Sequence, residues 1–319
     1  MIVTVTPNPA LDLTWHAPSL VPGTTHRVPA GASRAGGKGL NVARVLHAQG
    51  RNVLAVTTAG GATGDEFAAD LGRGGIPHVL VPVASATRRS LALVDDGIGE
   101  ATVVNELGAA LAPAERDALV SEAERLGLAA EVVAISGSLP PGLDADDVGG
   151  LVGRLTAAGV DVVADVTGPA LLAAARSGAA ALKPNRDELV EATGLDDPVR
   201  AARTLVDLGA RLVVASLGGD GLLMVAGDGP ALSARLPWRL NGNATGAGDA
   251  AVAAICATLA EHRADRAAAG AVAGLDHDLL SALARRATAW SASAVLMPLA
   301  GDLHPDHLAL EREVILEPR

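Results

Sequence analysis

The chain has 319 residues and a formal net charge of −11, and 49% of its residues are hydrophobic although only 1% are aromatic. This length suits one large domain or two smaller ones, and Ala, Val and Leu must build most of the core. The acidic charge and the scarcity of aromatic side chains argue against a nucleic-acid-binding protein, which uses basic faces and aromatic stacking platforms.

Short apolar segments that are typical of strands alternate with segments of helical periodicity. The predicted strands cover residues 2–6, 53–58, 79–83, 132–136, 160–165, 180–183 and 212–216. The predicted helices cover residues 39–49, 65–73, 113–128, 144–158, 169–176, 186–193, 198–208 and most of 247–294. This alternation predicts an α/β fold with a mainly parallel central sheet and helices on both of its faces.

Two segments interrupt the alternation. Residues 12–35 contain Pro, Gly, Thr and Arg without a helical period, and residues 88–106 alternate like a hairpin with a turn at Asp96-Gly97. Together they predict a small β-sheet beside the main sheet, either a lid that closes over a ligand or an edge hairpin with no role in binding. Because no repeat, linker or domain boundary is evident, residues 1–319 are interpreted as one domain.

Neither a membrane protein nor a secreted protein is expected. The N-terminal sequence has no basic segment followed by a long apolar stretch. The longest nearly apolar run, residues 250–260, is shorter than the roughly 20 residues that span a bilayer. The single cysteine, Cys256, excludes an internal disulfide and a paired thiolate metal site, and a reducing, cytoplasmic location fits.

The strongest chemical signal is Asn-Ala-Thr-Gly-Ala-Gly-Asp at residues 243–249, which runs directly into a predicted helix. Consecutive amide groups at a helix start, with glycines that permit close approach, form an anion site. Asp249 fits there as a base that takes a proton from an attacking hydroxyl while the amide groups hold a transferring phosphoryl group. The alternative is that Asp249 only favours the first helical turn. A dinucleotide fingerprint at residues 246–251 is disfavoured, because no apolar strand directly precedes it.

A second glycine-rich segment, Ala-Gly-Gly-Lys-Gly-Leu-Asn at residues 35–41, leads into the first predicted helix. It is not a Walker A motif, because Ala32 and Gly39 stand where that motif needs a glycine and a Ser or Thr. Its glycines still let the backbone approach a ligand closely, and Lys38 and Asn41 add a charge and an amide. The alternative is a helix start with a glycine-rich approach.

Two further segments follow predicted strands. Lys-Pro-Asn-Arg-Asp-Glu at residues 183–188 has the spacing of a capping box, although its Glu188 could instead organise a hydrated Mg²⁺ together with Asp165. Ser-Leu-Gly-Gly-Asp-Gly at residues 216–221 suits either nucleotide phosphates or a hairpin turn.

Lysine is rare in this sequence. Lys38 and Lys183 are the only lysines among 25 Lys and Arg residues, which indicates a need for a compact ammonium at both positions, with chance codon usage as the alternative.

In order and spacing, these segments resemble the signatures of the carbohydrate kinase family that includes ribokinase and the minor phosphofructokinases, the PfkB family. Residues 36–41 are similar to its first signature and residues 243–249 to its second, and the resemblance covers about residues 1–300. Thr-Pro-Asn-Pro-Ala-Leu-Asp at residues 6–12 and Ser-Gly-Ser-Leu-Pro-Pro-Gly at residues 136–142 resemble the branch of 1-phosphofructokinase and tagatose-6-phosphate kinase. The resemblance implies a ribokinase-like fold and a cytoplasmic enzyme that uses ATP and Mg²⁺ to phosphorylate a sugar phosphate.

The resemblance also implies the site residues. The catalytic group is the base Asp249 with an anion hole at Gly246, Ala247 and Gly248. The substrate-binding group is Asp12, Gly37, Lys38, Asn41, Arg88 and Ser138, with Lys38 and Arg88 on the substrate phosphate or the transferred group. The ATP-binding group is Asn185, Ser216, Gly218 and Gly221, and Glu188 and Asp165 would hold the metal, mainly through water. Residues 12–35 and 88–106 would form the family's lid, which often mediates dimerisation, so a homodimer is expected.

The family pattern is not matched everywhere. Ser90 and Ala92 follow Thr87-Arg88 where this branch usually carries a polar Asn and often a basic residue, and Asp187 stands where some relatives carry Lys. Fructose 1-phosphate is the expected substrate. Tagatose 6-phosphate, fructose 6-phosphate and an unphosphorylated sugar or nucleoside are the alternatives, and a non-catalytic sugar or nucleotide sensor is a hypothesis of a different class.

Overall fold

Two β-sheets and the helices around them make up the computed structural model, which describes residues 1–240, 242, 244–269 and 275–319. In chain order the strands are β1 (Ile2–Thr6), β2 (Ala10–Ala17), β3 (Ala32–Gly36), β4 (Val53–Ala59), β5 (His78–Pro82), β6 (Arg88–Asp95), β7 (Glu100–Asn105), β8 (Val132–Ser136), β9 (Asp161–Asp165), β10 (Ala181–Leu182), β11 (Leu212–Ser216), β12 (Leu222–Ala226), β13 (Leu232–Arg235) and β14 (Ile315–Pro318). The helices are α1 (Lys38–Ala48), α2 (Gly61–Arg73), α3 (Pro113–Gly127), α4 (Ala145–Ala157), α5 (Pro169–Arg176), α6 (Arg186–Thr193), α7 (Pro198–Asp207), α8 (Ala247–Ala269), α9 (His277–Val295) and α10 (His307–Glu313).

The large sheet has the strand order β14-β13-β12-β11-β10-β9-β8-β1-β4-β5. The strands from β11 to β5 are parallel, and β12, β13 and β14 form an antiparallel edge. Strand β1 pairs with β4 on one side and with β8 on the other, so the strand order reverses between β1 and β8. Ligands of parallel α/β sheets bind outside the carboxyl ends of the strands at such a reversal.

Helices cover both faces of the large sheet. On β8, Val132 and Ala134 pack in one apolar layer with α1, α2, α8 and α9, and Val133 and Ile135 pack in the other with α3, α4, α5 and α7. Successive residues of a strand point to opposite faces, so a strand buried on both sides must be apolar throughout. This confirms the predicted α/β fold with a mainly parallel sheet.

The small sheet has the order β3-β2-β6-β7, in which β2 pairs parallel with β6 and the outer pairs are antiparallel. It confirms the prediction that residues 12–35 and 88–106 contribute to one separate sheet. Strand β2 begins and strand β3 ends at the base of this sheet, where β3 leads through Gly37 into α1. The small sheet therefore stands next to the carboxyl end of β1.

Three features of the fold differ from the sequence prediction. Helix α2 begins at Gly61 instead of residue 65. A Cβ at Gly64 would lie only 3.2 Å from the carbonyl carbon of Ala59, which explains the glycine there, and glycine is unfavourable in a helix, so the local sequence did not predict this first turn. Strands β12 to β14 were not predicted, and β10 is only two residues long.

Within the described part of the chain, no helix carries an apolar stretch long enough to cross a bilayer.

Candidate active site

A polar cluster lies at the carboxyl ends of β1, β8 and β9, where the N-termini of α1 and α8 converge. Lys38 is the first residue of α1, Asp165 is the last residue of β9, and Asp249 lies in the first turn of α8. The fold therefore brings together residues that are more than 80 positions apart in the sequence. Of the second signature segment, Asn243 lies outside the described residues.

Asp249 is buried and held by a residue of the first glycine-rich segment. The side-chain amide of Asn41 donates a hydrogen bond to Oδ2 of Asp249 over 2.8 Å. Burial, together with the negative charge of Asp165, raises the pKa of Asp249 to about 6, although the Asn41 hydrogen bond and the charges of Lys38 and Lys183 oppose this. A carboxylate with a pKa near 6 is ionised at neutral pH and is a better proton acceptor than an exposed one.

The two lysines of the chain meet on one carboxylate oxygen. Nζ of Lys38 lies 3.3 Å and Nζ of Lys183 lies 3.4 Å from Oδ1 of Asp165, while Oδ2 of Asp165 is buried without a hydrogen-bond partner in the described structure. Burial lowers the pKa of Lys38, but the charges of Asp165, Asp249 and Glu188 outweigh it, so this pKa lies above its ordinary value. Lys183 was not predicted as a site residue. The signal that could have identified it is the scarcity of lysine in the sequence, in which Lys38 is the only other one.

The N-terminus of α8 has glycines that let other groups lie very close to its backbone. The helix begins at Ala247, so the amide groups of its first turn have no acceptors within the helix. A Cβ at Gly248 would lie 3.2 Å from Nζ of Lys183, and Gly246 has a φ of +85°, which favours glycine. The ammonium group of Lys183 therefore lies beside the positive end of the α8 dipole, and this arrangement attracts an anion.

Asp12 lies on β2 beside Gly36 of the glycine-rich segment. No larger residue could replace this glycine. A Cβ at Gly36 would lie 1.9 Å from Oδ2 of Asp12, so the glycine makes room for the carboxylate. Burial raises the pKa of Asp12 to about 6, Arg88 opposes this increase, and the charge of Asp249 adds to it. The backbone of Gly37 has a φ of +112° and packs against Thr6. Asp12, Lys38 and Asn41 thus lie near Asp249, with Gly37 directly before Lys38, and their roles in binding a substrate stay predictions.

Arg88 and Ser138 are brought together by a residue that was not predicted. Arg88 donates hydrogen bonds to the carbonyl of Asn8 from Nε and Nη2 (3.3 and 3.1 Å) and to the carbonyl of Glu106 from Nη1 (3.0 Å). The side chain of Asn8 donates to Oγ of Ser138 (3.1 Å) and to the carbonyl of Leu107 (3.0 Å). Asn8 lies within the segment 6–12 that carried the resemblance, which was the available signal.

A cleft of about 930 Å³ adjoins this cluster on the side of α9. Its lining includes the four residues predicted to bind ATP, namely Asn185, Ser216, Gly218 and Gly221. Ala247 and Gly248 line it as well, so the start of α8 faces the cleft. The segment 216–221 is also the turn of the antiparallel β11–β12 pair, which confirms the hairpin interpretation, and its contact with nucleotide phosphates stays a prediction. Trp238, which is 46% exposed, lines the cleft and was not predicted.

Asn185 and Glu188 form a reciprocal capping box at the start of α6. The Glu188 amide donates to Oδ1 of Asn185 and the Asn185 amide donates to Oε2 of Glu188, both over 2.8 Å. This confirms the structural interpretation of their spacing. The charge of Glu188 also raises the pKa of Lys38, so Glu188 lies close enough to act on the cluster around Asp165.

Comparison with known proteins identifies the family. A sequence model of the pfkB family of carbohydrate kinases matches residues 8–301. A 1-phosphofructokinase of Xanthomonas campestris pv. campestris is 38% identical over 266 residues, which cover 81% of this chain and 83% of that protein. An ATP-dependent 6-phosphofructokinase isozyme 2 of Mycobacterium tuberculosis is 35% identical, over 80% of this chain and 76% of that protein. The tetrameric inhibited form of Escherichia coli phosphofructokinase-2 superimposes with a TM-score of 0.84, at 30% identity and over 98% of both chains. The chain therefore belongs to the pfkB family of carbohydrate kinases and is a sugar kinase, a phosphotransferase.

Proposed function

We propose that the protein transfers the γ-phosphoryl group of ATP to a hydroxyl of fructose 1-phosphate, which gives fructose 1,6-bisphosphate and ADP. The observation that carries this proposal is the position of Asp249. It is buried, accepts a hydrogen bond from Asn41, directly follows Ala247 and Gly248 of the cleft lining, and lies near enough to Asp12 for its charge to raise the pKa of Asp12. The similarity to a 1-phosphofructokinase over most of the chain supports the substrate.

In the proposed mechanism, Asp249 takes the proton of the sugar hydroxyl. The hydroxyl oxygen then forms a bond to the γ-phosphorus, the bond from that phosphorus to the oxygen bridging to the β-phosphate breaks, and ADP leaves. The amide groups of residues 246–248 and the ammonium of Lys38 stabilise the negative charge on the transferring group. Asp12, Gly37 and Asn41 orient the sugar, so the reacting hydroxyl is already placed when its proton is removed.

Asn185, Ser216, Gly218 and Gly221 are proposed to contact ATP from the walls of the cleft. The residues proposed for the metal, Asp165 and Glu188, fit Mg²⁺ by their chemistry. Asp165 carries a buried carboxylate oxygen without a hydrogen-bond partner among the residues that the structure describes, and Mg²⁺ prefers oxygen ligands and retained waters. When bound, Mg²⁺ neutralises charge on the ATP phosphates.

The proposed function is tested by an ADP-release screen with purified protein, ATP and Mg²⁺ over a panel of sugars. The panel contains fructose 1-phosphate, fructose 6-phosphate, tagatose 6-phosphate, free ketohexoses and a nucleoside. The highest kcat/KM with fructose 1-phosphate is the expected result. Preference for fructose 6-phosphate would instead favour the second candidate, which the similarity to the 6-phosphofructokinase supports. Ligand binding by calorimetry without ADP release from any sugar would favour the sensor hypothesis.

Arg88 is proposed to bind the phosphate that the sugar already carries. It lies at the base of the small sheet, and two backbone carbonyls hold its guanidinium beside Asp12. We expect Arg88→Ala to raise the KM for a phosphorylated sugar by about 10- to 100-fold, because a charge-assisted contact to phosphate is lost. The exposed neighbour Arg89 provides a matched control, and Arg89→Ala should leave this KM unchanged. An unchanged KM in Arg88→Ala would point to a substrate without a phosphate group.

We also propose that the small sheet is the lid of a single kinase domain and that two copies dimerise through it. On the face opposite to Asp12, the strand register sets Leu91 and Val104 abreast of Leu13, which packs in part against the core of its own chain, with Trp15 and Leu93 one pair further along. Val104 is 56% exposed. An apolar face that crosses three strands is typical of a surface that another chain covers.

The lid interface is tested by Val104→Asp. We expect this variant to sediment as a monomer, because burying an unpaired carboxylate in the interface is unfavourable. Leu128→Asp, at an equally exposed apolar position at the end of α3, should leave the assembly unchanged. A wild-type monomer, or a Val104→Asp dimer, would contradict the proposed interface.

A cytoplasmic location is also proposed for this enzyme, since the free thiol of Cys256 and the use of ATP fit a reducing compartment.

A further inference from the structure

The loop between α9 and α10 packs behind the start of α8. Residues 298–303 of this loop are called the 300 loop below. A Cβ at Gly246 would lie 2.8 Å from both Cα and Cβ of Ala300 and 3.4 Å from the amide nitrogen of Gly301. The turn that precedes α8 therefore rests directly on the backbone of the 300 loop, and the position of one determines the position of the other.

The same loop supports the partner of Asp249. A Cβ at Gly301, whose φ is +88°, would lie 3.1 Å from Cδ of Arg44 and 3.5 Å from Cα of Asn41. Asn41 is the residue that donates a hydrogen bond to Asp249. The 300 loop thus touches both structures that orient the proposed base, the turn before α8 and the first turns of α1.

Arg34 of β3 holds this loop from the small sheet. Its Nη1 donates to the carbonyl of Ala300 and to Oδ2 of Asp302, and its Nη2 donates to Oδ1 of Asp302, each over 3.0 Å. The Arg34 side chain is only 22% exposed. A two-point guanidinium–carboxylate contact fixes orientation as well as distance, which a single ion contact does not.

The residue after Arg34 is fixed as well. Nη2 of Arg44 donates to the carbonyl of Ala35 (3.1 Å), and the amide of Ala35 donates to Oδ2 of Asp70 (2.9 Å). Arg44 and Asp70 also form an ion pair of 2.6 Å. The end of β3 is consequently held between α1, α2 and the 300 loop, and it has little freedom to shift independently of them.

We propose that Arg34 is a positioning residue that fixes the start of α8 relative to the sugar-binding side by holding the 300 loop against the turn at Gly246. Arg34 pairs with Asp12 across the β2–β3 register, so one end of the small sheet carries both the sugar-binding carboxylate and this contact. The inference rests on the proposed function, because it assigns roles to Asp12 and α8.

The test uses Asp302→Asn, which keeps the positive charge of Arg34 beside Asp12 and removes only the ion pair. We expect kcat with fructose 1-phosphate to fall by roughly 10- to 100-fold, because a small displacement of reacting groups has a large effect on rate, with little change in the KM for ATP. Arg34→Gln should lower kcat similarly, and the double variant should be no worse than the more severe single one, since both changes remove the same contact. Arg34→Lys keeps the charge but not the two-point contact and should recover only part of the activity.

A matched control and a second measurement separate this inference from the proposed function. Glu124→Gln removes an ion pair of similar length, 2.8 Å to Arg154, between α3 and α4, and it should leave kcat unchanged. Hydrogen–deuterium exchange should become faster in residues 244–250 and 298–303 of Asp302→Asn, whatever sugar the enzyme uses. If no sugar gives ADP release, the proposed function is wrong, but faster exchange would still support the contact. Wild-type exchange in both segments, or wild-type kcat in Asp302→Asn, would overturn the inference.

Discussion

Replacement of Asp249 by Asn is expected to lower kcat by about two to four orders of magnitude, the usual scale for the loss of an acid–base group. The amide is almost the same size and can still accept the hydrogen bond from Asn41, so geometry and ATP binding should be retained. The measurement is steady-state ADP release with fructose 1-phosphate, combined with calorimetric titration of ATP. Near-normal turnover in Asp249→Asn would remove this residue from its proposed role.

The pH dependence provides a control on the same residue. The pKa values of Asp249 and Asp12 both lie at about 6, raised chiefly by burial, and both carboxylates must be ionised for the proposed reaction. We therefore expect kcat/KM to be constant above pH 7 and to fall below pH 6, with a slope on a logarithmic scale between one and two. In Asp249→Asn the slope of the residual activity should not exceed one.

The stability of Asp249→Asn should change in the opposite direction to its activity. A carboxyl group whose pKa is higher in the folded than in the unfolded state binds more protons when folded, so its ionisation destabilises the fold as pH rises through about 4 to 6. At neutral pH the Asn variant avoids this cost. We expect it to be at least as stable as the wild type in urea denaturation at pH 7.5, which excludes unfolding as the reason for its lost activity.

Asp165→Asn, in contrast, should lower both stability and activity. The two ammonium groups of Lys38 and Lys183 both lie within 3.4 Å of one oxygen of Asp165, and the side chain of Lys183 is only 5% exposed. Without the negative charge, the two cations repel each other, and the buried Lys183 loses the ion-pair partner that it has among the described residues. We expect the free energy of unfolding to fall by about 3–5 kcal/mol, as when one partner of a buried ion pair is removed. Urea denaturation monitored by circular dichroism measures this change.

The same strand offers a matched control for this prediction. Asp161, at the opposite end of β9, is also buried and also contacts two cations, Arg211 at 2.8 Å and Arg263 at 3.4 Å. Both arginines reach solvent, with exposures of 49% and 35%, so water can hydrate them when the carboxylate is neutralised. Asp161→Asn should therefore lower the free energy of unfolding by only about 1 kcal/mol and leave kcat unchanged. Equal losses of stability in the two variants would contradict the importance of burial at Asp165.

The local sequence was sufficient to predict those features that depend only on residues close together in the chain. The strands of the parallel sheet are short apolar runs, and the capping box of Asn185 and Glu188 needs only a spacing of three residues. The glycine-rich segments before α1 and α8 could be recognised because close backbone approach requires glycine in the chain itself. These are also the segments that carry the family resemblance, so fold and family could both be predicted, whereas the catalytic role of Asp249 stays a prediction.

What only the tertiary structure decided is which distant groups meet. The contact of Lys183 with Asp165, that of Arg88 with Asn8, and that of Arg34 with Asp302, 268 positions away, have no local signature. The edge strand β14 was missed for the same reason, because its pairing with β13 joins residues about 80 positions apart. A local pattern reports the backbone conformation that a segment prefers. The partners of its polar side chains are chosen by how the helices pack across the sheet, a free energy summed over the whole chain.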